Sequence, residues 1–384
     1  MIKIQWKALL LKSSNAFFVT VRSERTQEKS RKTFRKYNFG DNINSYQTGG
    51  IFMETHHIRL TSSEVGGLWA NYIADSMFIC VYKYYLAKVE DEEIKNVLLH
   101  ALDLAQQHVQ VVTKIFKEEG HAIPLGFTEE DVNVDAPRLF SDEFFLFFTK
   151  HMTKGALVTY GAILPHTFRN DIREHFMSCI SSTMELFNEA TDLLLSKGLE
   201  IRSPYIPYLQ EVDMVEKQHF LAGWWGEQRP LTAAEITHLF SNIQTNHMGT
   251  AVITGYAQVA NDKDIRNYFK RGKEISKKQI EIFSKYLHEN DLPVPVTWDV
   301  EVMDTRESPF SDKLMLYQIA MMTAAGMGNY GTALSASPRR DIAAQYVRLQ
   351  GEIGLYAEDG INLQIKHAWL ERPPYAADRD QLMK

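Results

Sequence analysis

The sequence predicts an all-α protein built from two tandem four-helix bundles, and three observations lead to this fold class. Most of the chain after its first fifty or so residues occurs twice. In each copy, apolar side chains recur at the three- and four-residue spacing of amphipathic helices. Each copy also contains a proline-bearing segment of about twenty residues in which this spacing is lost.

The internal repeat has a period of 171 residues, which becomes 170 after one deletion. Residues 60–64 (LTSSE) return as 231–235 (LTAAE), and Phe140-Ser141-Asp142 returns as Phe310-Ser311-Asp312. A period of this length indicates a duplicated domain rather than a short-period solenoid. We therefore expect one bundle over residues 53–205 (repeat one), a linker over 206–230 and a second bundle over 231–384 (repeat two).

Residues 1–52 differ from both repeats. They carry ten basic and three acidic side chains and lack the apolar segment of a secretory signal. We expect a poorly ordered basic extension here. Because Met53 lies just before the first repeat, we hypothesise that translation starts there; a membrane- or RNA-binding arm is the functional alternative.

Start and stop signals place four helices in repeat one. The first is expected from Ser62 to Lys88 after a Thr61 cap, and the second from the acidic residues 90–93 to Gly120. The third should begin at the Ser141 cap and end at Pro165. The fourth should run from about residue 170 to 198.

The segment between helices two and three is residues 121–140 in repeat one and 292–310 in repeat two. An extended link of about 20 residues reaches roughly 60–70 Å, whereas a helix of about 26 residues is roughly 39 Å long. Such a link can cross a bundle end to end. One long crossover between two helical hairpins is the connectivity of a ferritin-like bundle.

Two further segments give expectations about packing. The linker carries Trp224 and Trp225, so we expect it to pack on the bundles. Residues 314–334 have no charged side chain, but their counterpart in repeat one contains Lys150, His151 and Lys154. We interpret this run as a buried central helix whose glycines allow close helix approach, rather than as a membrane span.

The charge of the repeated region argues against nucleic-acid binding, and the two cysteines give a separate expectation. Beyond residue 52 the chain carries 32 basic and 45 acidic side chains, a formal net charge of −13. A region this acidic is a poor nucleic-acid binder, since phosphate contacts dominate such binding. Cys80 and Cys179, both in repeat one, are expected to be buried free thiols.

A ferritin-like bundle calls for a search for a di-iron site, which needs Glu-x-x-His on two helices. Ala105 stands where the glutamate before His108 is required, and Gln279 replaces that histidine in repeat two. Acidic residues do recur between the repeats, and we interpret them as capping and surface carboxylates. A carboxylate metal site is the alternative. The recurring pairs are Glu64 and Glu235, Asp103 and Glu274, and Glu189 and Asp359.

Other motifs are weak. Residues 131–135 (DVNVD) begin like a calcium loop, but Ala136 stands where glycine is needed. Gly326-x-Gly328-x-x-Gly331 matches a dinucleotide fingerprint in spacing alone and lies within a helical pattern. We therefore assign no catalytic, cofactor-binding or metal-binding residue and expect no cofactor.

Several segments carry a family resemblance: residues 60–64, 126–134, 138–142, 193–198 and 328–334. Over about residues 53–384 the chain resembles an uncharacterised tandem ferritin-like family of spore-forming bacteria, distantly similar to spore coat protein F. The resemblance implies a ferritin-like fold and a spore or sporulation setting. It implies no catalytic residue.

Three functions follow as hypotheses. The first is a non-enzymatic structural or interaction protein, cytoplasmic or spore-associated, with an unidentified protein partner and no transmembrane segment. The second is a metal-binding or oxidase-type protein using Asp103, His108 and Glu189. The third is a binder of an apolar small molecule or lipid. A large cavity lined by methionines would favour this third hypothesis; the candidates are Met315, Met321, Met322 and Met327.

Overall fold

The computed structural model describes residues 58–224 and 228–384. Within these ranges the regular structure is helical, apart from two isolated β-bridges, so the all-α prediction is confirmed. The expectations for residues 1–52, for a start at Met53 and for Trp225 fall outside the described residues.

In the described part of the chain, eight long helices form two sets of four, and a short ninth helix follows near residue 380. Repeat one contains α1 (Ser62–Lys88), α2 (Glu92–Glu118), α3 (Asp142–Ile163) and α4 (Asn170–Ser196). Repeat two contains α5 (Ala233–Val259), α6 (Lys263–His288), α7 (Asp312–Ser335) and α8 (Arg340–Lys366). The last helix is α9 (Arg379–Leu382).

The helix ends follow the predicted local signals. Thr61 accepts a hydrogen bond from the backbone N–H of Glu64, whose carboxylate in turn accepts one from the N–H of Thr61. Thr232 and Glu235 repeat this capping box at α5. After α2 and α4 the chain turns at Gly120 and Gly198, whose φ values of 61° and 69° favour glycine.

Helix packing follows the predicted hairpins. In repeat one α1 packs on α2 and α3 on α4, and in repeat two α5 packs on α6 and α7 on α8. One apolar cluster lies within repeat one and another within repeat two, while the largest is shared by both. In the shared cluster the rings of Tyr84 and Phe310 lie 5.2 Å apart and meet edge to face. The two repeats therefore have a common core.

The segment between α2 and α3 contacts the segment between α6 and α7, and these contacts join the two repeats. The backbone N–H of Asn133 donates to Pro309 O at 2.8 Å, and that of Met303 donates to Leu139 O at 2.9 Å. These bonds are equivalent under the 170-residue offset, as are the bridges Val132–Phe310 and Phe140–Val302. The repeats thus pair through the same surface on each side, as the subunits of a two-fold symmetric dimer do.

The linker packs only in part, so that expectation was half wrong. Tyr208, Leu209 and Val212 are 93%, 88% and 90% exposed. Farther along, Arg229 stacks on the Phe220 ring at 4.1 Å and pairs with Glu235. The packed part is held by this buried carboxylate, whereas the earlier apolar residues meet no partner within the described structure.

Helix α7 corrects the expectation of close packing around its glycines. Its first half is buried, including Leu314, Met315 and Ile319. Its second half borders open space: a Cβ on Gly326 or Gly328 would meet no atom within 4 Å. Among the described helices, none has the length and apolarity needed to cross a membrane.

Candidate functional site

A cavity of about 660 Å³ lies between the two repeats. Its lining comes from α1 to α4 and from α5 to α8, largely at equivalent positions of the two repeats. Val158 is 62% exposed where the cavity opens to solvent. The volume lies within the range of roughly 300–1,000 Å³ that is usual for small-molecule sites.

Small and flexible side chains form the apolar part of the lining. Met152 and its counterpart Met322 both border the cavity, and so do Met248 and Met321. On α3, a Cβ at Gly155 would meet no atom within 4 Å, as at Gly326 on α7. The glycines that suggested close helix packing instead leave the space open.

A buried polar cluster of repeat one borders this cavity. Asp75 Oδ2 accepts a hydrogen bond from Asn71 Nδ2 at 2.6 Å and lies 3.0 Å from His108 Nδ1. Asn71 Nδ2 also donates to Tyr160 Oη at 3.2 Å, and Asn71 Oδ1 lies 2.8 Å from His175 Nε2. All four helices of repeat one contribute to this cluster, so it fixes their relative positions.

The cluster shows which ring nitrogen donates in each of its two histidines. His175 Nε2 carries the proton because its partner, Asn71 Oδ1, can only accept. Burial, together with nearby His108, lowers the pKa of His175 to about 4. His108 Nδ1 donates to Asp75 Oδ2, since a carboxylate oxygen accepts. The Nε2 atom of His108 makes no hydrogen bond to the residues that the structure describes.

Repeat two replaces this cluster with neutral groups. Asn246, at the position of Asp75, donates to Tyr330 Oη at 2.9 Å. Tyr330 Oη donates to the Oε1 of Gln279, which replaces His108, at 2.8 Å. Gln279 is 2% exposed, and its Nε2 has no hydrogen-bond partner in the described residues. The same backbone position therefore holds an ionisable network in one repeat and a neutral one in the other.

Lys154 of α3 brings a cation to the cavity wall. Its Nζ donates to the Oγ of Ser241, on α5 of the other repeat, at 2.6 Å. Burial and the neighbouring Lys150 lower the pKa of Lys154 to about 8, although Glu200 opposes this. Lys150 pairs with Glu200 at 2.9 Å, whereas no carboxylate of the described residues lies at ion-pair distance from Lys154. Lys154 is thus a half-buried cation without a counter-ion there.

The candidate metal residues from the sequence do not come together. Asp103 is exposed and accepts from Gln107 of its own helix at 2.6 Å. Glu189 pairs with His100 at the surface, and Asp359 pairs with Arg271. In residues 58–224 and 228–384 there is no group of three or more His, Cys, Asp or Glu side chains arranged to hold a metal ion.

The interpretation of the recurring acids as caps and surface groups is confirmed. Glu64 caps α1 and also accepts from the backbone N–H groups of Phe168 and Arg169 before α4. Burial alone would raise the pKa of Glu64, but the N–H groups of Arg169, Thr61 and Phe168 hold it below its usual value. Glu235 caps α5 in the same way and is also buried. The other four recurring acids are exposed, namely Asp103, Glu189, Glu274 and Asp359.

The calcium-loop segment serves a structural purpose. Asp131 accepts from Thr128 N at 3.0 Å and from Ser311 Oγ at 2.6 Å, so both of its carboxylate oxygens have protein donors. Cys80 and Cys179 are buried free thiols, as predicted.

Comparison with known proteins gives the family. The model of the family described as "Protein of unknown function (DUF3231)" matches residues 50–212 and again residues 219–382. The chain belongs to this family. It carries two copies of the DUF3231 unit, which confirms the tandem duplication.

Two relatives show how far the similarity extends. The DUF3231 chain is 28% identical to the uncharacterised protein YvdQ of Bacillus subtilis over 145 residues, which cover 37% of this chain and 85% of YvdQ. A crystal structure of a candidate spore coat protein from Bacillus halodurans is 20% identical, with a TM-score of 0.36. That match covers 40% of this chain and 98% of the other.

Sequence reasoning singled out His108 and two methionines of the cavity, but it missed the cluster that His108 joins, formed with Asn71, Asp75 and His175. The sequence analysis used Lys154 only as an argument against a membrane span. A signal was present: aligned position by position, the repeats place Lys154 opposite Ala324 and Asp75 opposite Asn246. Positions at which the two copies differ are therefore candidates for a role that the copies do not share.

Proposed function

We propose that this chain is a non-catalytic binding protein in which two tandem ferritin-like bundles hold an apolar small molecule between them. The observation that carries the proposal is the cavity of about 660 Å³ lined by equivalent positions of both repeats. The helix order and the long crossover support the ferritin-like description.

The lining favours an apolar ligand. Of the four methionines expected to mark such a cavity, Met321 and Met322 line it, whereas Met315 is fully buried in the shared core and Met327 is not part of the lining. Methionine is flexible and polarisable, which suits a surface that adapts to a ligand. The metal-binding hypothesis has no comparable support, because Asp103 and Glu189 lie at the surface. A spore setting, a cytoplasmic location and a protein partner stay predictions.

The test uses the neutral fluorophore N-phenyl-1-naphthylamine, which brightens in apolar surroundings. We expect saturable binding to the full chain. In the variant Gly155→Leu/Gly326→Leu, two leucine side chains enter the cavity, because nothing stands within 4 Å of either Cβ. The dissociation constant should then rise roughly tenfold or more, as the apolar area open to the ligand is lost.

The matched control is Gly161→Leu/Gly351→Leu. These glycines also lie in long helices with nothing within 4 Å of an added Cβ, but they do not line the cavity. Both double variants should fold, since leucine favours a helix over glycine by roughly 0.5–1 kcal/mol at each site. The absence of saturable binding to the natural chain, or unchanged binding in the cavity variant, would contradict the proposal.

A further inference from the structure

The two sides of the cavity differ in charge, and the difference lies between equivalent positions of the repeats. Repeat one places ionisable side chains at four lining positions where repeat two has neutral ones. The pairs are Asp75 and Asn246, His108 and Gln279, His151 and Met321, and Lys154 and Ala324. A ligand that matches both sides must itself be amphipathic.

The ionisable groups of repeat one differ in the hydrogen-bond partners that they have. Asp75 is held by Asn71 and His108 at 2.6 and 3.0 Å. The imidazole of His151 is buried, and its Nδ1 lies 3.1 Å from Phe147 O. Lys154 has only the hydroxyl of Ser241, a neutral partner. A half-buried ammonium with a neutral partner is stabilised by any anion that reaches it, because burial weakens its hydration.

We propose that the cavity binds a single-chain carboxylate amphiphile, of fatty-acid type, with its carboxylate on Lys154 and its chain along the apolar wall of α7. The assignment rests on the proposed function, and it adds the chemical class of the ligand. Met321, Met322 and Ala325 form that wall. Burial of each CH₂ group of the ligand against this wall favours binding.

A singly charged head group fits better than a phosphate. Lys154 supplies one positive charge, and Lys150 beside it is already paired with Glu200. A phosphate monoester carries about −1.5 to −2 charges at pH 7, so it would leave negative charge uncompensated in a partly buried site. Gln279 Nε2 is a second donor without a partner, but it is neutral. The charged end of the ligand is therefore set by Lys154.

The experiment measures displacement of N-phenyl-1-naphthylamine from the full chain by dodecanoic acid and by dodecan-1-ol. The two compounds have the same alkyl chain, and only the acid is charged at pH 7. We expect the acid to bind roughly tenfold or more tightly than the alcohol, as a charge-assisted hydrogen bond adds to the apolar contact.

The variant Lys154→Met keeps the length of the side chain and removes its charge. This variant should bind the acid roughly tenfold or more weakly than the natural chain does, and its affinity for the alcohol should stay within about twofold. Lys154→Arg should retain the preference for the acid. The control is Lys114→Met, at an exposed lysine on α2. It removes the same formal charge and should change the affinity for neither compound.

Each outcome decides between the two proposals. Equal affinity of the natural chain for acid and alcohol, or an unchanged preference in Lys154→Met, would overturn the carboxylate assignment. In both cases saturable binding of the fluorophore would leave the binding function standing. If the fluorophore itself does not bind, the binding function fails and the assignment fails with it.

Discussion

The two repeats surround one cavity with equivalent positions, yet repeat one lines it with ionisable side chains and repeat two with neutral ones. Where the repeats agree, the shared residue serves the fold. Asp142 accepts from the backbone N–H groups of Glu90 and Asp91, and Asp312 does the same for Asn261 and Asp262. Where they differ, as at Asp75 and Asn246, the residue faces the cavity.

We expect the largest difference in stability between matched variants of the two repeats at Asp75. Asp75→Leu removes the acceptor of both Asn71 Nδ2 and His108 Nδ1, two buried donors. Since a buried unsatisfied group costs about 1–3 kcal/mol, the free energy of unfolding should fall by roughly 4 kcal/mol. Urea denaturation measures this change.

The matched variant in repeat two is Asn246→Leu. Tyr330 would still donate to Gln279, so the loss should be only about 1 kcal/mol. Equal losses in the two variants would show that the ionisable cluster stabilises the fold no more than its neutral counterpart does.

A second difference between the repeats concerns stability at low pH. The folded pKa of His175 is lowered to about 4 by burial and by nearby His108, against roughly 6.5 in the unfolded chain. Its contribution to stability is full above pH 6.5 and is lost as the pH falls through 4. By pH 4 the loss approaches about 3 kcal/mol. His175→Gln, the repeat-two residue, should remove this acid dependence.

Urea midpoints at pH 7, 5 and 4 test the prediction about His175. His100→Gln, at the surface beside Glu189, is the control and should keep the acid dependence of the natural chain. His151, whose pKa burial also lowers, contributes in every variant. A variant at His175 that loses stability with acid as steeply as the natural chain would refute the assignment.

The smallest effect should be the same in both repeats. Asn133→Pro and Met303→Pro each remove one of the two equivalent N–H donors that join the crossovers. Each should lower the free energy of unfolding by about 1 kcal/mol, the net value of one hydrogen bond. The midpoint of thermal unfolding should fall by a similar amount in the two variants. A shift in only one variant would show that the crossovers are not equivalent.

Local signals were sufficient for the helices. The Thr61 and Thr232 caps, Gly120 and Gly198 act on neighbouring backbone, so the sequence contains all that is needed to place the ends of α1, α2 and α4. The burial of Cys179 and the structural use of Glu64 were likewise predictable from their positions on the helices.

The sequence by itself determined the all-α class, the duplication and the capping role of Glu64 and Glu235. Only the tertiary structure decided how the two repeats pair and that the glycines of α7 border a cavity. It also decided that Lys154 reaches across to Ser241. The physical reason is range: a cap depends on residues within one turn, whereas a cavity depends on surfaces that are about 170 residues apart in the chain.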